Sequence, residues 1–168
     1  MVDDGGLARI QQRMNAIPAK VREAAAKASR EAAEKVADDM RHFALSSKDT
    51  GALIDSITVT GPNEKTPPYS QPGGAAVVPE GTYRITAGNK DVRYAHLVEY
   101  GTKASTGRGG GRDRRYKTRI VKTRKYGAHP GTPAQPFFWP AVRANKKKVA
   151  SAIRKAAREA IKEGWGKK

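Results

Sequence analysis

Residues 19–45, AKVREAAAKASREAAEKVADDMRHFAL, decide the fold. Val21, Ala25, Ala28, Ala32, Val36, Met40 and Phe43 recur every three or four residues, with charged residues on the remaining positions, which is the pattern of an amphipathic helix. The stripe is small in its first half and larger in its second, so another backbone can approach closely at the alanines. Upstream, Leu7, Ile10, Met14 and Ile17 keep helical spacing, and Pro18 predicts a break between a short lead helix and the long one.

A helix with one apolar stripe needs a partner surface, and the rest of the chain offers two. Ile57-Thr-Val59-Thr and Tyr83-Arg-Ile-Thr-Ala87 alternate as half-buried strands do, with Ala76-Val-Val as a third strand candidate. Between them GPNEKTPPYSQPGGA, residues 61–75, predicts a Pro/Gly loop without strand pairing. Residues 93–100 predict a helical turn or two closed by Gly101, and residues 117–123 a strand around Ile120 and Val121 after a mobile loop over 103–117. A last helix is expected from Pro140 to Glu163, stopped by Gly164, with Val142, Val149, Ile153, Ala156 or Ala157 and Ala160 as its stripe. The fold class is therefore α+β, a small antiparallel sheet packed against a long N-terminal helix and a C-terminal helix. One domain is expected over 1–168: a lead helix (1–17), helix and sheet (18–102), a protruding basic Gly/Arg arm (103–127), and a Pro/aromatic lead-in to the C-terminal helix (128–168).

The chain has no Cys, which excludes disulfides, thiolate metal sites and a cysteine nucleophile. Its apolar runs fall far short of the roughly 20 residues that span a bilayer, and MVDDGGLARI lacks a basic stretch followed by an apolar one, so no membrane partner is expected. The net charge of +17 is placed unevenly. Residues 1–49 hold nine Lys/Arg against eight Asp/Glu, residues 50–102 four against five, and residues 103–168 twenty against three. All the excess lies in the last third, which points to a polyanionic neighbour.

Little in the sequence suggests catalysis. His42, His96 and His129 are isolated and show no metal-ligand spacing, and TGRGGGRDRR lacks the GK[ST] ending of a phosphate loop. No catalytic, cofactor-binding or metal residue is assigned, and no cofactor is expected. Glu99 reads either as a solvated acid near a helix end or as the partner of a Lys or Arg from a neighbouring segment or subunit. Phe137, Phe138 and Trp139 read as core anchors, together with Leu53 and Ile57, rather than as a base-stacking platform. The arm sets ten cations against Asp113 alone; Arg108, Arg112, Arg114, Arg115, Lys117 and Arg119 are its candidate contacts with DNA or an acidic protein.

Three ordered stretches complete the picture: Thr50-Gly-Ala-Leu-Ile-Asp-Ser-Ile57, Tyr94-Ala-His-Leu-Val-Glu-Tyr-Gly-Thr102 and Pro133-Ala-Gln-Pro-Phe-Phe-Trp-Pro-Ala141. The set resembles the TG-x-L-x-x-SI, YA-x-x-VE-[FY]-GT and PA-x-PF-x-x-PA motifs of the gene-product-ten family of morphogenesis proteins from long-tailed bacteriophages. The resemblance implies a non-enzymatic virion protein assembled in the host cytoplasm into a ring, six- or twelve-fold, at the head–tail junction. It would act there as a neck, tail-completion or tail-terminator component around the DNA path. Implied partners are further copies of the chain, head-completion and tail-tube proteins, and genomic DNA without sequence preference. In that reading Tyr94, Glu99, Tyr100 and Gly101 face a neighbouring subunit. The rival readings are a cellular nucleic-acid-binding protein of ribosomal type and, with few acids available for a metal, a phage nuclease.

Overall fold

The computed structural model describes residues 7–47, 51–107, 114–116, 119–121 and 127–166. It is an α+β fold in which a long N-terminal helix packs on a C-terminal helix, with a two-stranded antiparallel sheet against them.

Helix α1 (Leu7–Ala44) runs for 38 residues without the break expected at Pro18. Proline removes a backbone donor and crowds the preceding turn. Here Ile17 lies against the far end of α4 (Phe138–Gly166), so close that a Cβ on Gly164 would stand 2.8 Å from Ile17 Cγ1. At the other end of the pair, Asn145 Nδ2 donates to Asp39 Oδ2 at 2.6 Å. The helices are therefore antiparallel over most of their length, and packing along the pair keeps the chain helical across the proline.

Small side chains allow that approach. Ala32, Ala33, Ala37 and Ala44 of α1 and Ala141 and Ala160 of α4 are buried, with Val36 and Met40. Phe43, expected on the stripe, is 39% exposed. The buried positions 33, 37, 40 and 44 follow the helical period, and Phe43 sits about 100° of rotation away from Ala44.

After a 3₁₀ turn (Leu45–Ser47) and the short α2 (Ala52–Asp55), β1 (Thr58–Thr60) pairs with β2 (Arg84–Thr86) in the register Thr58↔Thr86, Val59↔Ile85, Thr60↔Arg84. Ile57, Ala87, Val59 and Ile85 turn to the core formed by α1, Leu53, Phe137 and Phe138. Residues 76–78 do not form a strand: Val77 makes a single bridge to Lys65. The Pro/Gly loop does reach the sheet, because Gln71 and Ala87 exchange backbone hydrogen bonds of 2.8 and 2.9 Å. Its side chains supply what strand pairing does not, as the buried Thr66 hydroxyl donates to Gly74 O and accepts from Ala76 N.

Helix α3 (Ala95–Tyr100) follows, then β3 (Arg114–Tyr116) and β4 (Arg119–Val121), an antiparallel pair separated by two residues. β4 lies where a strand is predicted; β3 lies where the sequence predicts a loop. Arm residues 108–113, 117–118 and 122–126 are outside the described residues. Helix α4 begins at Phe138, two residues before the expected Pro140, and passes the expected stop at Gly164.

Candidate assembly interface

The three motifs meet in one place. In the first, Ser56 lies at the end of α2, where its hydroxyl donates to Leu53 O at 2.7 Å and accepts from Gly88 N at 3.0 Å. That bond ties α2 to the turn leading into α3, where Asn89 Oδ1 accepts from the backbone of Asp91 and Val92.

In the second motif, α3 buries Ala95 and Glu99, one turn apart, and turns His96, Leu97 and Tyr100 outward. Glu99 is only 6% exposed, and among the described residues it makes no ion pair. Its Oε2 accepts from Phe137 N and Phe138 N, both at 2.8 Å, and its Oε1 from Trp139 N at 3.2 Å. These are orphan donors at the start of α4, where the helix dipole also favours a negative charge. The third motif has no Ser, Thr, Asp or Asn before Phe138 to cap the helix locally, so a carboxylate some forty residues away does so. The same contact fixes the start of α4 at Phe138. Gln135 N donates to Val98 O at 2.9 Å and completes the lock between second and third motifs.

Gly101 ends α3 with φ 70 and ψ 179, a combination only glycine adopts readily, rather than in the left-handed helical conformation. A Cβ there would fall 2.6 Å from Thr132 O and 2.7 Å from Ala134 N. Gly131 mirrors it, with φ 87 and a would-be Cβ 2.8 Å from Thr102 O. Two glycines thus bring the ends of the arm together, where Thr102 pairs with Thr132 and Ser105 with His129 through four backbone bonds of 2.8 to 3.1 Å. The base of the arm is rigidly joined to the α3–α4 lock.

Around the lock stands an aromatic surface. Tyr94 is 40%, Leu97 42%, Tyr100 68% and Trp139 41% exposed. Tyr94, Leu97 and Tyr100 are three residues apart along α3, and Trp139 Nε1 donates to the Tyr100 hydroxyl at 2.7 Å. The Trp139 ring meets Phe138 edge-on with centroids 5.4 Å apart, which links the surface to the core. An apolar cleft lined by Pro72, Ala87, Ala95, His96, Tyr100 and Trp139 opens beside it.

The structure gives the site residues read from the sequence different positions. Leu53, Ile57, Phe137 and Phe138 are buried, whereas Trp139 is partly outside the core. Tyr94 and Tyr100 face outward, Gly101 packs against backbone, and Glu99 turns inward. Arg114, Arg115 and Arg119 lie on the β3–β4 hairpin, while Arg108, Arg112 and Lys117 lie outside the described residues. His42, His96 and His129 are exposed, and among the described residues no group of three or more His, Asp or Glu could hold a metal ion. Asn145 and Asp39, which fix the two long helices, carry no signal in the sequence beyond a polar residue on an apolar stripe.

The family model described as bacteriophage HK97-gp10, tail component, matches residues 8–101, more than half of the chain. The chain belongs to the HK97-gp10-like family. No curated protein and no solved structure is significantly similar to it. The HK97-gp10-like family is one of phage structural tail components and not of enzymes. The match ends at Gly101, so the matched segment contains both α1, which packs along the C-terminal helix, and Glu99, which caps its start.

Proposed function

We propose that this HK97-gp10-like chain is a ring-forming component of the head–tail junction, acting in neck assembly, tail completion or tail termination around the path of the DNA. The observation that supports it is the Tyr94, Leu97, Tyr100 and Trp139 surface, four large side chains left exposed around the Glu99 contact with the start of α4. Tyr and Trp supply apolar area at low entropic cost and are enriched at interfaces. Such a surface, meeting a different patch on the next copy, generates a ring when the rotation closes. Six- or twelve-fold closure, contacts with head-completion and tail-tube proteins, and assembly in the host cytoplasm complete the reading.

The arm, held at its base by Gly101 and Gly131, would project Arg108, Arg112, Arg114, Arg115, Lys117 and Arg119 toward DNA or an acidic ring. The test is the mass of the purified chain by light scattering after size exclusion, with negative-stain images. The double variant Tyr100→Ala/Trp139→Ala should shift closed rings to monomers while the circular-dichroism spectrum stays native. A monomeric wild type at high concentration, or rings that survive the double substitution, would overturn the reading.

A further inference from the structure

The outward face of α4 carries a single sign of charge over most of its length. Arg143, Lys147, Arg154, Arg158 and Lys162 follow one another at intervals of four, seven, four and four residues, and all are exposed. These intervals keep one face of an α-helix, and from the first to the last they span roughly 28 Å at 1.5 Å per residue. Ser151 fills the gap in the row, and Lys148 and Lys155 flank it. Among the described residues the ion pairs are Arg41–Asp38 and Lys155–Glu159, so none of the five cations in the row has a carboxylate partner there. Arg154 uses one donor on Ala150 O within the helix.

We propose that this face of α4 binds the phosphate backbone of duplex DNA. A duplex presents about one negative charge per 1.7 Å of axis, so a straight row of cations meets phosphates along its whole length. Among the described residues from Arg143 to Lys162, the large apolar side chain exposed on this face is Ile161, at 39%, a single residue where an interface with an acidic protein would use a desolvated cluster. Its Arg and Lys side chains are the ones that make most contacts to phosphate oxygens. Ser151 adds a hydroxyl of the kind that donates to phosphate oxygen. The inference stands on the charge geometry of α4 and does not depend on ring closure. It assigns DNA contact to a surface distinct from the arm.

The test is fluorescence anisotropy of the full chain with a labelled duplex of about 20 base pairs, a length that covers the row. Affinity is measured across NaCl concentrations for wild type, for Arg154→Gln/Arg158→Gln/Lys162→Gln, for Arg112→Gln/Arg114→Gln/Arg115→Gln in the arm, and for Lys20→Gln/Lys27→Gln/Lys35→Gln on α1. The expected result is a log–log salt slope shallower by about three in the α4 variant, at roughly 0.9 per phosphate contact, with affinity at low salt reduced more than tenfold. The α1 variant, which loses the same charge, should change the slope by less than about one. Equal flattening by the α1 and α4 variants would reduce the effect to net charge and overturn the proposal. An α4 variant with the wild-type slope, or no duplex binding by the wild type at low salt, would overturn it too. Light scattering of the same samples reports ring assembly separately.

Discussion

The outward face of α1 sets Lys20, Lys27, Arg30 and Lys35 among Glu23, Glu31, Glu34 and Asp38, whereas the matching face of α4 sets five cations in a row against none. The two helices play the same structural part, since each lays a stripe rich in alanine against the other and the pairing runs from Ile17–Gly164 to Asp39–Asn145. Packing therefore explains neither solvent face. A mixed-sign face is what a solvated helix tolerates at least cost, because like charges four residues apart repel by a few tenths of a kcal/mol. The uniform face of α4 carries that repulsion without a carboxylate among its own five cations. Glu99 is the counterexample inside the fold, a charge whose partners are backbone amides and whose role is to hold α4 in place.

This contrast between the helices fails if α4 is not anchored as described, and the largest effect should come from the glycine that sets its approach. Gly101→Ala forces a side chain into Thr132 O and a non-glycine residue into a glycine-only conformation, and should cost about 3 kcal/mol or more. Thermal unfolding should shift down by roughly 10 °C; a shift within about 2 °C would mean the arm base is pliable.

Glu99→Gln replaces a charge-assisted acceptor with an amide that can present only one oxygen to three donors, and should cost about 2 to 3 kcal/mol. Hydrogen exchange should accelerate most at Phe137, Phe138 and Trp139. Unchanged protection at those three amides would show that Glu99 does not hold the helix start.

Asn145→Ala should cost about 1 to 2 kcal/mol by removing the bond to Asp39, read as a lower urea midpoint with an unchanged slope. The α4 triple variant used for DNA binding should be the mildest of all, within about 0.5 kcal/mol of wild type in urea. A large loss there would mean the outward cations have a structural role and would erase the contrast with α1.

The sequence makes some of this legible and hides the rest for identifiable reasons. The period of α1 and the alternation around Val59 and Ile85 are local patterns and read correctly. Pro18 misleads because its neighbour Ile17 is held by a helix end nearly 150 residues later. Phe43 misleads because a step of three from Met40 and a step of four both fit the helical period, and the step of four, to Ala44, is the one that faces inward. Glu99 is conspicuous as a lone acid before a basic arm, yet its partners are amides of another motif, and backbone donors leave no trace in composition. Trp139 shares an aromatic run with Phe137 and Phe138, but at the first turn of a helix consecutive residues point in different directions. The motifs at 50–57 and 94–102, by contrast, lie within the segment that matches the family, and the third meets the second where Glu99 caps the start of α4.

A tail component that works at the head–tail junction must be found there, and gold-labelled antibody against this chain on tailed particles from a producing lysate, followed by particle averaging, reads that out. Label concentrated at the junction, with ring density there, is the predicted result. Particles free of label, with the protein recovered instead among ribosomes or free nucleic acid, would contradict it.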